Sequence, residues 1–206
     1  MTTLEDVFKQ NSTPKEFSKA YVQNLINVLE KLDHQVIAEV MGIFSGVYQS
    51  RGAIYLAGNG GSASTCGHIA NDFHAGSLRH GGGGFRIIDL TSNIASLTAV
   101  ANDIGYEEVF SKQIENIIST QDLLIVVSAS GNSINLVKAV HAAKQHGAKT
   151  IGFLGFDGGE LKKLCDKAIV VQTPKGQYGP VEDVHLILNH LMANYFCLIK
   201  QNQKKV

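Results

Sequence analysis

An excess of either charge is missing from this chain of 206 residues, in which 18 lysines and arginines are matched by 18 aspartates and glutamates. Basic residues group only as the pairs Lys162-Lys163 and Lys204-Lys205. A neutral chain without a basic stripe has no electrostatic footprint for nucleic acid or for an anionic membrane, so the expected partner is a small molecule. No apolar run approaches the roughly 20 residues that a membrane-crossing helix requires. The N-terminus, MTTLEDVFKQ, is too acidic and polar for a secretory signal, and a cytoplasmic location is expected. Cysteine is scarce: Cys66, Cys165 and Cys197 are odd in number, lack metal or redox spacing, and are expected to be reduced thiols. Nucleotide signatures are incomplete as well. The glycine turn at Gly58 to Gly61 has no Gly-Lys pair of the P-loop type, and the positions about 20 residues beyond it hold glycines and histidine instead of a ribose-binding acid.

What is present is organised around residues 53 to 78, AIYLAGNGGSASTCGHIANDFHAGSL. A short apolar strand breaks at Gly58-Asn59-Gly60-Gly61-Ser62 into a segment, Ala63 to Phe73, with helical spacing. Glycine lets backbone come close to a ligand, and the free N–H groups of a first helical turn face an anion. A phosphate or a phosphorylated sugar suits such a turn; a glycine-rich connection with no ligand is the plain alternative.

Before this stretch, apolar stripes at Phe17, Tyr21, Leu25 and Leu29, and at Val36, Val40, Phe44 and Val47, predict two long leading helices within residues 1–52. Their spare apolar faces suit either a second subunit or the interior of the monomer. After it come a flexible linker, His80 to Gly84, a strand at Phe85 to Leu90, helices near Ile94 to Asn102 and Glu107 to Ile118, and the apolar strand Leu123 to Val127. A helix at Ile134 to His146, a strand at Lys149 to Leu154, a short helix at Gly158 to Cys165 and a strand at Ala168 to Gln172 follow. Alternation of strand and helix over 53–173 predicts an α/β fold, a doubly wound parallel sheet of about five strands in a single domain, 1–206. A long helix within 180–202 closes it.

Ligands of an open parallel sheet bind outside the carboxyl ends of its strands. A second turn there, Ser128-Ala129-Ser130-Gly131-Asn132-Ser133, offers three hydroxyls beside a helix N-terminus, enough to hold a phosphate without lysine or arginine; Ser133 or Asn132 acting only as a helix cap is the alternative. Two further pairs stand out. His68 and Asp72 are four residues apart on one helix face, and Glu182 and His190 are eight apart on the closing helix. Two imidazoles and two carboxylates suit a divalent metal such as zinc, and equally a proton relay between adjacent sugar carbons. His34, His74, His80, His141, His146 and His185 read as bystanders.

With GNGGSAS, TAVANDIGY, SASGNS, FDGG and EDVHLILNH in view, the chain resembles the sugar isomerase (SIS) domain family over nearly its whole length, and within it the phosphoheptose isomerase branch. That resemblance implies phosphosugar binding, a homotetramer with sites between subunits, and interconversion of an aldose and a ketose phosphate, of the sedoheptulose 7-phosphate kind, through an enediol. By position, Ser128, Ser130 and Ser133 resemble the phosphate-binding serines. Asn59, Gly60, Gly61, Ser62, Asn93 and Glu182 fall where the family contacts its substrate. Asp72 and His190 resemble the acid-base pair, and His68, Asp72, Glu182 and His190 the zinc ligands of members that bind zinc. Asp72 replaces a glutamate, Glu182 a glutamine, Ala129 a threonine and Asn93 an aspartate; Gly76 stands where an arginine is usual, with Arg79 nearby. Other relatives of this kind sense phosphosugars or bind the replication initiator DnaA, so a binding protein is the alternative function.

Overall fold

The computed structural model describes residues 3–76 and 84–203. Three helices lead the chain: α1 (Leu4–Gln10), α2 (Pro14–Leu29) and α3 (His34–Gln49). Each begins where a short polar side chain can accept from a first-turn amide. Thr3 forms a reciprocal capping box with Asp6, Thr13 caps α2 ahead of Pro14, and Asp33 accepts from Gln35 and Val36. The seven-residue α1 adds to the two long helices that the apolar stripes foretell.

The core alternates β1 (Ala53–Gly58), α4 (Gly61–Asn71), β2 (Arg86–Asp89), α5 (Ile94–Asp103), α6 (Ser111–Ile114), β3 (Leu123–Ser128), α7 (Ile134–Gln145), β4 (Lys149–Gly155), α8 (Leu161–Leu164) and β5 (Lys167–Val171), and α9 (Tyr178–Gln203) closes the chain. The five strands are all parallel, in the order β2-β1-β3-β4-β5. Every residue of β1 and β3 is buried, as continuous apolar runs require when helices cover both faces. Period-two alternation then sends Ile54, Leu56, Ile125 and Val127 into one layer with α3 and α9, and Tyr55, Ala57, Leu124 and Val126 into the other with α7.

Buried Asp122 ties the lower ends of the two central strands. Its Oδ1 accepts from the Ala53 amide at 2.7 Å, and its Oδ2 from the amide and hydroxyl of Ser119 at 2.8 Å each. That clamp fits the register Ile54 opposite Leu123, which brings Gly58 level with Val127 and so places the turns after β1 and β3 side by side. The expected helix over Glu107 to Ile118 is broken instead into a 3₁₀ turn at Tyr106–Glu108 and the single turn of α6. Glu108 bonds both the Ser111 hydroxyl and Lys138 of α7, which holds the chain in the bend. Residues 80–83 of the expected linker lie outside the described residues, as does Arg79. Among the described residues no helix is long and apolar enough to cross a membrane. All three cysteines are free thiols, with Cys66 and Cys165 buried.

Candidate active site

In a sheet ordered 2-1-3-4-5 the crossovers from β1 and from β3 diverge to opposite faces, which opens a crevice between the upper ends of those two strands. A cavity of ≈ 330 Å³ lies there, lined by Asn59, Gly60, Gly61, Ser62, Ser128, Ser130, Ser133 and Glu182 of the sequence-derived site, with Val127, Ala129 and Tyr178. Gly60 enters α4 at φ +55°, a conformation that a side chain resists, and it faces open space. The serine turn is held from beneath. Gly131, at φ +66°, passes so close to the Asp157–Glu160 loop that a Cβ would sit 2.0 Å from the Gly158 carbonyl oxygen, and the Leu161 amide donates to its carbonyl at 2.9 Å. Asn132 bridges the two loops, donating to the Ser130 carbonyl at 2.9 Å and accepting from the Glu160 amide at 3.0 Å.

The hydroxyls are arranged to donate. Ser128 Oγ accepts from the Gly131 amide at 3.1 Å and Ser130 Oγ from the Asn132 amide at 3.3 Å, so loop amides occupy lone pairs and leave the hydroxyl protons for a ligand. Ser133 is the N-cap of α7 by backbone position, yet its side chain makes no capping bond, so cap-only duty does not account for it. An oxyanion here would meet hydroxyl protons and the positive end of α7. The only charged side chain lining the cavity, among the described residues, is the carboxylate of Glu182.

Two turns further along α4 and α9 a second group converges. His190 Nε2 lies 3.1 Å from His68 Nε2, His68 Nε2 lies 3.3 Å from Asp72 Oδ2, and His190 Nε2 lies 3.7 Å from the same oxygen. A tetrahedral shell with bonds of about 2.0–2.2 Å has edges of about 3.3–3.6 Å, close to the separations of these three atoms, which could form one face of a zinc-sized tetrahedron. Asp72 starts a π-helical turn, Asp72–Gly76, at the end of α4. The turn carries Phe73 into an aromatic cluster with Phe44 and Phe85, and the Asp72 carboxylate stays with the histidines. All three donors are reachable: their side chains are 42% (His68), 22% (Asp72) and 49% (His190) exposed.

Glu182, expected as a fourth metal ligand, is not part of this group. Its carboxylate lies against Gly61, with an oxygen 2.4 Å from where a Cβ would stand; the missing side chain leaves room, and the first turn of α4 attracts the negative charge. Asn93, expected at the sugar, caps α5 by accepting from the Ser96 amide at 3.1 Å and does not line the cavity. His185, expected as a bystander, is fully buried beneath the site, its Nε2 3.2 Å from the Leu154 carbonyl oxygen.

Three residues escaped the sequence reading. Asn135 exchanges two 3.0 Å bonds with the Asn59 amide, and the Tyr106 hydroxyl donates to Asn59 Oδ1 at 2.8 Å, so that amide oxygen is taken and one Asn59 N–H is left to point at a ligand. Asn189 donates to Asp72 Oδ2 at 2.7 Å. Its signal was legible: His185 and Asn189 are polar interruptions of the buried stripe Val181, Val184, Leu188, Met192 and Phe196.

Residues 19–155 match the family model described as the SIS domain. The chain is 36% identical over 180 residues to a phosphoheptose isomerase of Helicobacter pylori, an alignment covering 87% of this chain and 88% of that one. It is 41% identical over 141 residues to a phosphoheptose isomerase of a Nitratiruptor species, covering 68% and 74%. Among solved structures it is similar to the phosphoheptose isomerase GmhA of Neisseria gonorrhoeae, with a TM-score of 0.79 and 28% identity, covering 88% of this chain and 97% of that one.

Proposed function

The chain belongs to the SIS domain family, with the phosphoheptose isomerases as its relatives, and from that premise we propose that it is a phosphosugar aldose-ketose isomerase of the sedoheptulose 7-phosphate isomerase kind. The observation that carries the reading is the triangle of His68, Asp72 and His190, set along the same two helices as the serine cavity. A carboxylate between two imidazoles is more than a sensing protein needs, which favours the enzyme over the phosphosugar-sensing or initiator-binding alternative.

In this reading the phosphate rests on Ser128, Ser130 and Ser133, and the Asn59 N–H and Ser62 contact the sugar chain. Glu182 accepts from sugar hydroxyls, a task its carboxylate performs where it lies. The reacting end reaches toward Asp72, which takes the proton from the carbon next to the carbonyl and returns it to the neighbouring carbon. His190 moves the accompanying proton between the two oxygens, so the enediol forms and collapses with no net change in protons. The donor set fits a divalent metal, zinc first on ligand type, held at rest by His68, Asp72 and His190; when bound it would supply Lewis-acid polarisation of the sugar carbonyl, and Asp72 and His190 would serve as ligands at rest and as acid-base groups only when released in turnover.

A homotetramer in the cytoplasm completes the proposal. Its support is the exposed apolar stripe Leu191, Tyr195 and Leu198 on α9, a face that suits burial against another copy. The test is to load the purified chain with zinc and supply sedoheptulose 7-phosphate. Conversion to an aldose phosphate is expected, with losses of at least about 100-fold in Asp72→Asn and in His190→Gln, a range typical of positioned acid-base groups. A zinc-loaded protein that binds the sugar phosphate and never isomerises it would overturn the enzyme reading.

A further inference from the structure

Asn189 is completely buried, one residue before His190 on α9. Its Nδ2 donates at 2.7 Å to Asp72 Oδ2, the very oxygen that faces both imidazoles. Because a carboxylate accepts and cannot donate, this bond also fixes which way the amide points. The other end of the amide is thereby left stranded: Asn189 Oδ1 is buried with no hydrogen-bond partner among the described residues. A buried carbonyl without a partner lowers stability, whereas a leucine of similar size would suit a stripe shared with Leu188 and Met192. The fold therefore keeps a group that works against its own stability, and the one thing that group does is hold Asp72.

Asp72 has need of a holder. Among the described residues its outer oxygen takes only a 3.3 Å bond, from the exposed amide of Asn71, and no other buried group there fixes the rotation of the carboxylate. We propose that Asn189 is a positioning residue that turns Asp72 Oδ2 toward His68 and His190 and thereby sets the metal affinity of the cluster. The inference rests on the metal reading given above.

Zinc affinity, measured by competition with a chromophoric chelator, and the thermal midpoint of the chelator-treated protein separate the possibilities in the full-length chain. In Asn189→Leu the zinc-free midpoint should stay equal or rise, because the stranded carbonyl is gone, while zinc affinity falls about 10- to 100-fold, as for other partners that orient a metal ligand. Asp72→Asn should lose at least as much affinity, and the double variant no more than Asp72→Asn alone, since Asn189 acts only through that carboxylate. Asn189→Ser, too short to reach Asp72, should repeat the loss if the leucine variant fails to fold. Wild-type zinc affinity in both Asn189 variants, with affinity lost in Asp72→Asn, would overturn the inference and leave the metal site standing. A lower midpoint with unchanged zinc affinity would make Asn189 merely structural and overturn it too. Wild-type protein that takes up no zinc would remove the metal reading and the inference together.

Discussion

Acidification should destabilise this protein through His185. The ring is fully buried on α9, with Nε2 bonded to the Leu154 carbonyl oxygen of β4, so Nε2 carries the proton and donates; Nδ1 has no partner among the described residues. Protonating Nδ1 would put an unpaired positive charge into the core. Burial accordingly pushes the pKa from 6.5 down to about 4, only partly opposed by the bond to Leu154. In the unfolded chain the same ring takes up a proton near pH 6.5. Between those two values the unfolded state binds more protons, so stability is complete above about pH 6.5 and declines as pH falls, at about 1.4 kcal/mol per pH unit. Near pH 5 the loss is about 2 kcal/mol, and by pH 4 about 3 kcal/mol, against a typical total of 5–15. Urea unfolding at about pH 7 and about pH 5, at one fixed protein concentration, measures it. His185→Gln keeps an N–H for Leu154 and cannot titrate, so it should be less stable at neutral pH and lose about 2 kcal/mol less on acidification than wild type. Equal acid sensitivity in the two proteins would refute the reasoning.

Two more outcomes follow from the cavity. Gly131→Ala meets both a left-handed backbone, at about 1–2 kcal/mol, and a carbonyl oxygen 2.0 Å from the new methyl; it should destabilise the fold by about 3 kcal/mol or more in denaturant titrations and abolish phosphate binding in calorimetry. Unchanged affinity in that variant would free the serine turn from its buttress. Glu182→Gln removes the one charge that the described residues place in the cavity lining and should tighten inorganic phosphate by about three- to tenfold, more at low salt; weaker binding would mean that the carboxylate helps hold the ligand through a cation.

The sheet was legible because it is written in the strongest signals a sequence has. Leu123 to Val127 is apolar without interruption, which only a strand covered on both faces tolerates, and the glycine and serine turns fall at strand ends where ligands bind. The pairing of His68 with Asp72 followed from helical geometry alone. Glu182 did not follow, because spacing on α9 states which face a side chain leaves and not what attracts it; the bare Cα of Gly61 and the positive start of α4 decided that. Asn93 acts as the cap of α5 for a related reason: an asparagine before a helix satisfies the nearest amide first. The break after Tyr106 was hidden because Val109, Phe110 and Ile114 keep helical spacing while a long-range tie, Glu108 to Lys138, bends the chain. Asn189 was overlooked beside a more conspicuous histidine.

α9 is one uninterrupted rod, and it carries Glu182 at the mouth of the serine cavity and Asn189 and His190 at the histidine triangle, eight residues and about 12 Å further on. Neither end can be shifted without levering the other. In the proposed reading both ends are occupied, and by whatever factor a metal ion changes the grip on a phosphosugar, the phosphosugar changes the grip on the metal by the same factor. In that reading a chelator would draw the metal from a site whose hold is set by bound phosphosugar as well as by its ligands.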